Sequence, residues 1–269
     1  MTIKPKKRNR VSKNLMLLIP VLKNLQNIKN ELRYMERHKD ERPLEELRES
    51  IIQAAGRIYN KSSKRSEFKG KDERPVMMYI HGFMSGANGA KQKQLQKHFK
   101  NRYRVIAPEL DADPDKSLSI LNALIEEDHP EVIIGTSLGG WMTLMCESGS
   151  AELIIVNPST VPYKTLARWL NKPQTYFCPR LDGVQTYLLT QEILDKYLKY
   201  DTVNVLNEKK NRIHALCSTK DELIGDLHIS MLKPILSEDR LMVVDDFGHQ
   251  CRDAGMDHLY EIVESVAKH

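Results

Sequence analysis

The sequence predicts an α/β protein, a mostly parallel sheet with helices on both faces. Three observations point there. First, short and wholly apolar runs recur, such as Val76-Met77-Met78-Tyr79-Ile80 and Leu153-Ile154-Ile155-Val156. Strands without polar alternation are buried on both faces. Second, segments with helical apolar spacing separate these runs, as in Ser117 to Glu127 with Leu118, Leu121, Leu124 and Ile125 on one side. Alternating strands and helices favour parallel pairing through crossovers. Third, the run Val132-Ile133-Ile134 ends in Gly135-Thr136-Ser137-Leu138-Gly139, the pattern of a sharp turn from strand into helix.

The elements follow in order from Val76. Val76 to Ile80 is the first strand, closed by His81-Gly82-Phe83 and a loop from Ser85 to Gly89. Gln92 to Phe99 is a helix, Arg104 to Pro108 a strand and Ser117 to Glu127 a helix. Val132 to Ile134 leads into the Gly-x-Ser-x-Gly turn, and Trp141 to Cys146 lies on the helix after it. Leu153 to Val156 is the next strand, closed by Asn157-Pro158. Residues 160–208 differ in character. Helical patches at Thr165–Leu170 and Gln191–Tyr200 sit among Pro, Asn and aromatic residues, as expected of an insertion over the carboxyl edge of the sheet. Ile213 to Cys217 and Leu241 to Val244 are further strands, and Leu259 to Ala267 is the closing helix.

Ahead of this body lies a different kind of chain. Residues 1–72 carry 19 Lys/Arg against 9 Asp/Glu, whereas the remainder carries 22 against 27. The expected organisation is a basic helical extension and linker over 1–72, then a domain over 73–269. Leu22, Leu25, Ile28, Leu32 and Met35 have helical spacing, as do Leu44, Leu47, Ile51, Ala54, Ala55 and Ile58 after Pro43. Such helices suit packing on the body or self-association; the charge of residues 1–60 also suits an anionic surface. The basic start and the apolar patch Leu15 to Leu22 imitate a signal peptide, but Lys23-Asn24-Leu25-Gln26 follows instead of a small-residue cleavage site. Aromatic residues for base stacking are scarce there, so no specific nucleic-acid partner is expected.

Composition excludes some classes. In 269 residues, 41% of them hydrophobic, no run approaches the roughly 18 apolar residues of a membrane span. Cys146, Cys178, Cys217 and Cys251 form no CxxC pair, so neither a zinc site nor a disulfide framework is indicated. Free thiols in a cytoplasmic protein are the expectation.

The chemistry-bearing residues share one placement. Ser137, Asp221 and His249 each follow a predicted strand, and so fall on the carboxyl edge of the sheet where such folds bind ligands. The glycines at 135 and 139 leave room for the turn that lifts the Ser137 hydroxyl. A serine hydroxyl needs a base to become a nucleophile, and His249 is positioned for that role. Asp221 would orient the imidazole, with Glu222, Asp226, Asp245 and Asp246 as rivals; His258 is the nearest competitor of His249. The amides of Phe83 and Leu138 are candidates for an oxyanion hole, with His81 a buttress for its loop. Ser, Asp, His is the chain order of α/β-hydrolases.

Tyr79-Ile80-His81-Gly82-Phe83-Met84-Ser85, Gly135-Thr136-Ser137-Leu138-Gly139-Gly140, Val156-Asn157-Pro158, Thr219-Lys220-Asp221-Glu222 and Gly248-His249 together resemble the YqiA-like esterases of the α/β-hydrolase superfamily, over roughly residues 76–268. The resemblance implies an α/β-hydrolase fold and a serine esterase for short acyl esters or thioesters, with Ser137, Asp221 and His249 as its triad. The residues after His249 depart from the family's apolar ones, and the extension has no counterpart there. The expected function is cleavage of a small-molecule carboxylic ester through an acyl-serine, without metal or cofactor. Acyl transfer on the same triad and a non-catalytic binding protein of the same fold are the alternatives. Met84, Trp169, Tyr176 and Phe177 are the candidate walls of the acyl pocket.

Overall fold

A computed structural model describes residues 72–267 of the chain. The two amphipathic helices expected in the basic extension lie outside these residues. The described residues form eight strands and eight α-helices. They are β1 (Val76–Ile80), α1 (Ala90–His98), β2 (Arg104–Ile106), α2 (Pro114–Asp128), β3 (Val132–Thr136), α3 (Leu138–Met145), β4 (Glu152–Val156) and α4 (Pro162–Thr165). After them come β5 (Pro173–Thr175), β6 (Thr186–Leu188), α5 (Gln191–Lys196), α6 (Thr202–Lys209), β7 (Ile213–Ser218), α7 (Leu227–Leu232), β8 (Leu241–Val244) and α8 (Ala254–Val266).

Six strands form one sheet in the order β2-β1-β3-β4-β7-β8, with every neighbouring pair parallel. The central strands are buried on both faces because successive residues point to opposite sides. Met78, Ile80, Ile133, Leu153, Ile155, Ala215 and Cys217 join one core with Leu118 and Leu121 of α2 and Trp141 of α3. Met77, Tyr79, Val132, Ile134, Ile154, Val156 and Leu216 join the other with Leu95 of α1 and Leu259, Ile262 and Val263 of α8. This is why the runs showed no polar alternation. Helix α2 starts where Asp113 accepts from the amides of Asp115 and Lys116, with Pro114 opening the first turn. It stops at His129, which adopts a left-handed conformation.

The segment between β4 and β7 is helical at both patches the sequence suggests, and adds a hairpin and a further helix. It opens with α4 and a 3-10 turn at Ala167–Trp169, then forms an antiparallel hairpin from β5 and β6, then α5, a second 3-10 turn and α6. The hairpin has only three residues per strand, too few to show a period in the sequence. No helix among the described residues is long and apolar enough to cross a membrane. All four cysteines are free.

Candidate active site

The carboxyl ends of five adjacent strands, β1, β3, β4, β7 and β8, each send a loop to the same edge. At the end of β3 the chain turns in one residue. Ser137 takes φ 55° and ψ −120°, a strained conformation for a residue with a side chain, and Leu138 is already helical. Two glycines permit this turn. A Cβ on Gly135 would lie 2.1 Å from Thr143 Oγ1 and 2.2 Å from the Gly139 carbonyl oxygen; one on Gly139 would lie 2.2 Å from the Ile80 carbonyl oxygen. The turn is pinned to β4, since the Ser137 amide donates to the Val156 carbonyl at 3.0 Å and the Ser159 amide donates to the Ser137 carbonyl at 2.9 Å.

Ser137, His249 and Asp221 converge, although β3 and β8 are three strands apart in the sheet, about 14 Å at the usual spacing. The Ser137 Oγ lies 2.9 Å from His249 Nε2, and His249 Nδ1 lies 2.7 Å from Asp221 Oδ2. The other carboxylate oxygen of Asp221 accepts the amides of Leu223 and Ile224 at 2.9 and 2.8 Å. Burial would raise the Asp221 pKa; the hydrogen bond and charge of His249 and those two amides outweigh it and hold the carboxyl below its usual range.

Two of the rival carboxylates are engaged elsewhere. Glu222 accepts the backbone amide of His249 at 2.8 Å and so holds the histidine loop rather than its ring. Asp246 lies 2.8 Å from His258 Nε2 in an exposed pair. Asn157, at the end of β4 between the two halves of the site, is fully buried in a left-handed conformation at φ 41°. Its Oδ1 accepts the Ser218 amide at 2.8 Å, and its Nδ2 donates to the Gly248 carbonyl at 3.3 Å. Ser218 also donates its hydroxyl to the Phe247 carbonyl. One side chain thus ties the Asp221 loop to the His249 loop. Asn157 stood in the Val156-Asn157-Pro158 motif, but nothing local to the sequence signalled what it would join.

His81 is buried with both ring nitrogens engaged. Its Nε2 accepts the Leu110 amide at 3.1 Å, and its Nδ1 donates to the Gly82 carbonyl at 2.9 Å. Burial depresses its pKa to about 4, so the ring is neutral at neutral pH. The loop it holds carries Phe83 and Met84, the latter in a left-handed conformation at φ 59°. Leu138 is the first residue of α3, so its amide has no acceptor within the helix.

A cleft of about 600 Å³ opens over Ser137 and His249 and is also lined by Phe83, Met84, Trp169 and Phe177. Met84 is buried, while Phe177 is 77% exposed at the rim. Tyr176 is placed differently. With His81, Phe83 and Leu138 it borders a separate cavity of about 10 Å³, and the Arg180 guanidinium lies 4.4 Å from its ring centroid. Its neighbour Phe177 faces the cleft instead. The Phe177 amide donates to the Met84 carbonyl at 2.8 Å, which binds the insertion to the β1 loop. Among the described residues, no group of three or more His, Cys, Asp or Glu is arranged to hold a metal ion.

Solved structures share this architecture at low sequence identity. Mouse alpha/beta hydrolase domain-containing protein 10 is 14% identical, with a TM-score of 0.52 over 74% of this chain and 93% of that one. Est1E from Butyrivibrio proteoclasticus is 15% identical, with a TM-score of 0.53 over 74% and 87%. The Paleococcus ferrophilus monoacylglycerol lipase is 15% identical, with a TM-score of 0.52 over 72% and 95%. At these identities the likeness establishes the fold, that of α/β-hydrolases, including esterases and lipases. No curated protein matches the sequence. The profile of the family described as "Uncharacterised protein family (UPF0227)" matches residues 76–266, and the chain belongs to that family, the YqiA-like group its motifs resemble.

Proposed function

We propose that the protein is a serine esterase that cleaves a carboxylic ester or thioester through an acyl-serine intermediate. One observation carries the reading: the Ser137 hydroxyl, the His249 ring and the Asp221 carboxylate form an unbroken hydrogen-bonded line beneath an open cleft. In that arrangement His249 Nε2 takes the Ser137 proton as Oγ attacks the acyl carbon. Asp221 fixes the tautomer with Nδ1 protonated and stabilises the imidazolium that forms. The amides of Phe83 and Leu138 receive the developing oxyanion; losing one such donor typically raises the barrier by about 2.7–4 kcal/mol. His249 returns the proton to the leaving alcohol or thiol, then activates water to release the acid. The cleft volume suits a small acyl ester, since small-molecule sites usually span about 300–1,000 Å³.

A fluorophosphonate probe and a chain-length series of p-nitrophenyl esters test this. Wild type should be labelled and should hydrolyse the shorter esters. Ser137→Ala should escape labelling and lose roughly 10⁴-fold in kcat/KM. Hydrolysis that survives Ser137→Ala, or absence of labelling and turnover in both proteins, would overturn the reading.

A further inference from the structure

The charged lining of the cleft is unequal. Lys91, Arg168 and Arg252 contribute three cations, against the single carboxylate of Asp253. This runs against the balance of the body, where Asp and Glu outnumber Lys and Arg. Among the described residues, none of the three cations is paired with a carboxylate. Arg168 donates from Nη2 to the Leu223 carbonyl at 2.5 Å, which anchors it from the insertion to the loop that carries Asp221. Lys91, in the first turn of α1, is partly buried and has no ion-pair partner among the described residues. Burial depresses its pKa, and its charge senses Cys251 and Arg252. Burial pushes the Cys251 thiol up to about 12, so at neutral pH it is uncharged. Lys91 therefore has a neutral thiol and a like charge for neighbours. An ammonium held partly out of water without a counter-charge is costly, and an entering anion would relieve that cost.

We propose that the cleft selects esters bearing a carboxylate or phosphate group, held by Lys91, Arg252 and Arg168 beside Ser137. Turnover of such esters rests on the esterase reading, whereas their binding does not. Lys91 and Arg252 lie near Cys251 on the His249 side of the cleft, and Arg168 comes from the insertion. A neutral ester of the same length brings no charge to this wall. Cations gathered around a cleft also speed the capture of anionic ligands in a salt-dependent way.

Two measurements separate the possibilities. In the first, kcat/KM is compared for p-nitrophenyl butyrate, p-nitrophenyl hemisuccinate and 4-butyryloxy-3-nitrobenzoate, which are neutral, charged on the acyl side and charged on the leaving group. At least one anionic ester should exceed the neutral one by about tenfold or more at low salt, with the ratio shrinking in high salt. Lys91→Met, Arg168→Gln and Arg252→Gln should each lower that ratio several-fold; the better anionic ester shows which side carries the charge. In the second, calorimetry follows succinate and inorganic phosphate binding to Ser137→Ala, alone and combined with Lys91→Met. Binding lost with Lys91 supports the anion site even if no ester is turned over, which would sink only the esterase reading. Ser137-dependent hydrolysis with equal rates on all three esters and no anion binding would overturn the anion site and leave the esterase reading intact.

Discussion

Asn157 shows how much a single side chain can organise. Ser137 follows β3, Asp221 and His249 follow β7 and β8, and Asn157 closes β4 between them. Its amide satisfies one donor on the Asp221 loop and one acceptor on the His249 loop. Asn157→Ala would leave the buried Ser218 amide unpaired, at about 1–3 kcal/mol, and would leave the Gly248 carbonyl with the Cys251 amide alone. Asn157→Asp keeps the acceptor for Ser218 and removes the donor to Gly248. We therefore expect Asn157→Asp to fold and to lose kcat about 10- to 100-fold with little change in KM, the mark of a misplaced histidine rather than a lost substrate contact. Full activity in that variant, or a change confined to KM, would exclude the positioning role. The glycines at 135 and 139 act at the same scale, by leaving space that no Cβ could occupy.

Among the elements, the helix behind the serine is held from an unexpected side. Trp141 of α3 is completely buried, with its ring centroid 4.9 Å from that of Tyr197 and 5.1 Å from that of Tyr200. Its Nε1 donates to Thr202 Oγ1 at 3.1 Å. All three partners belong to the segment between β4 and β7. The same segment is fastened to the start of α2, where Lys196 pairs with Asp113 at 2.7 Å and the Tyr200 hydroxyl donates to Asp115 at 2.9 Å. The insertion is therefore a structural clamp on α3 as well as a wall of the cleft. Trp141→Ala should destabilise the protein by roughly 3–5 kcal/mol in denaturant melts, the usual cost of emptying a large aromatic site. Thr202→Val, which removes only the acceptor, should cost about 1–2 kcal/mol. A loss below 1 kcal/mol for Trp141→Ala would show that α3 stands without this clamp.

For the whole molecule, buried histidine chemistry shapes the dependence of stability on pH. His81 has a folded pKa of about 4 against a usual value of 6.5, because burial disfavours its charged form. Between those values the unfolded chain binds a proton that the folded chain refuses. Stability from this group is therefore complete above pH 6.5 and falls as the pH drops toward 4. Partly buried Glu109 and Asp111, with pKa values raised by that burial, oppose this trend, so the histidine contribution is best read as a difference. Relative to His81→Gln, wild type should lose roughly 2–3 kcal/mol more between pH 7 and pH 4.5 in urea titrations. Parallel pH profiles for the two proteins would show that His81 is not the group responsible.

The sequence alone determined the layered α/β order, the strand runs, the glycine-flanked serine and the family to which the chain belongs. Those features are local: strand burial, helical spacing and the sterics of a one-residue turn act over a few neighbouring residues. Only the tertiary structure decided which of five candidate carboxylates meets the His249 ring, what Asn157 joins, that Tyr176 turns away from the cleft while Phe177 faces it, and that a short hairpin stands in the insertion. Each of these depends on loops from strands several positions apart in the sheet folding back to a common point. Contacts across that distance are set by packing and hydrogen-bond satisfaction, which leave no periodic mark along the chain.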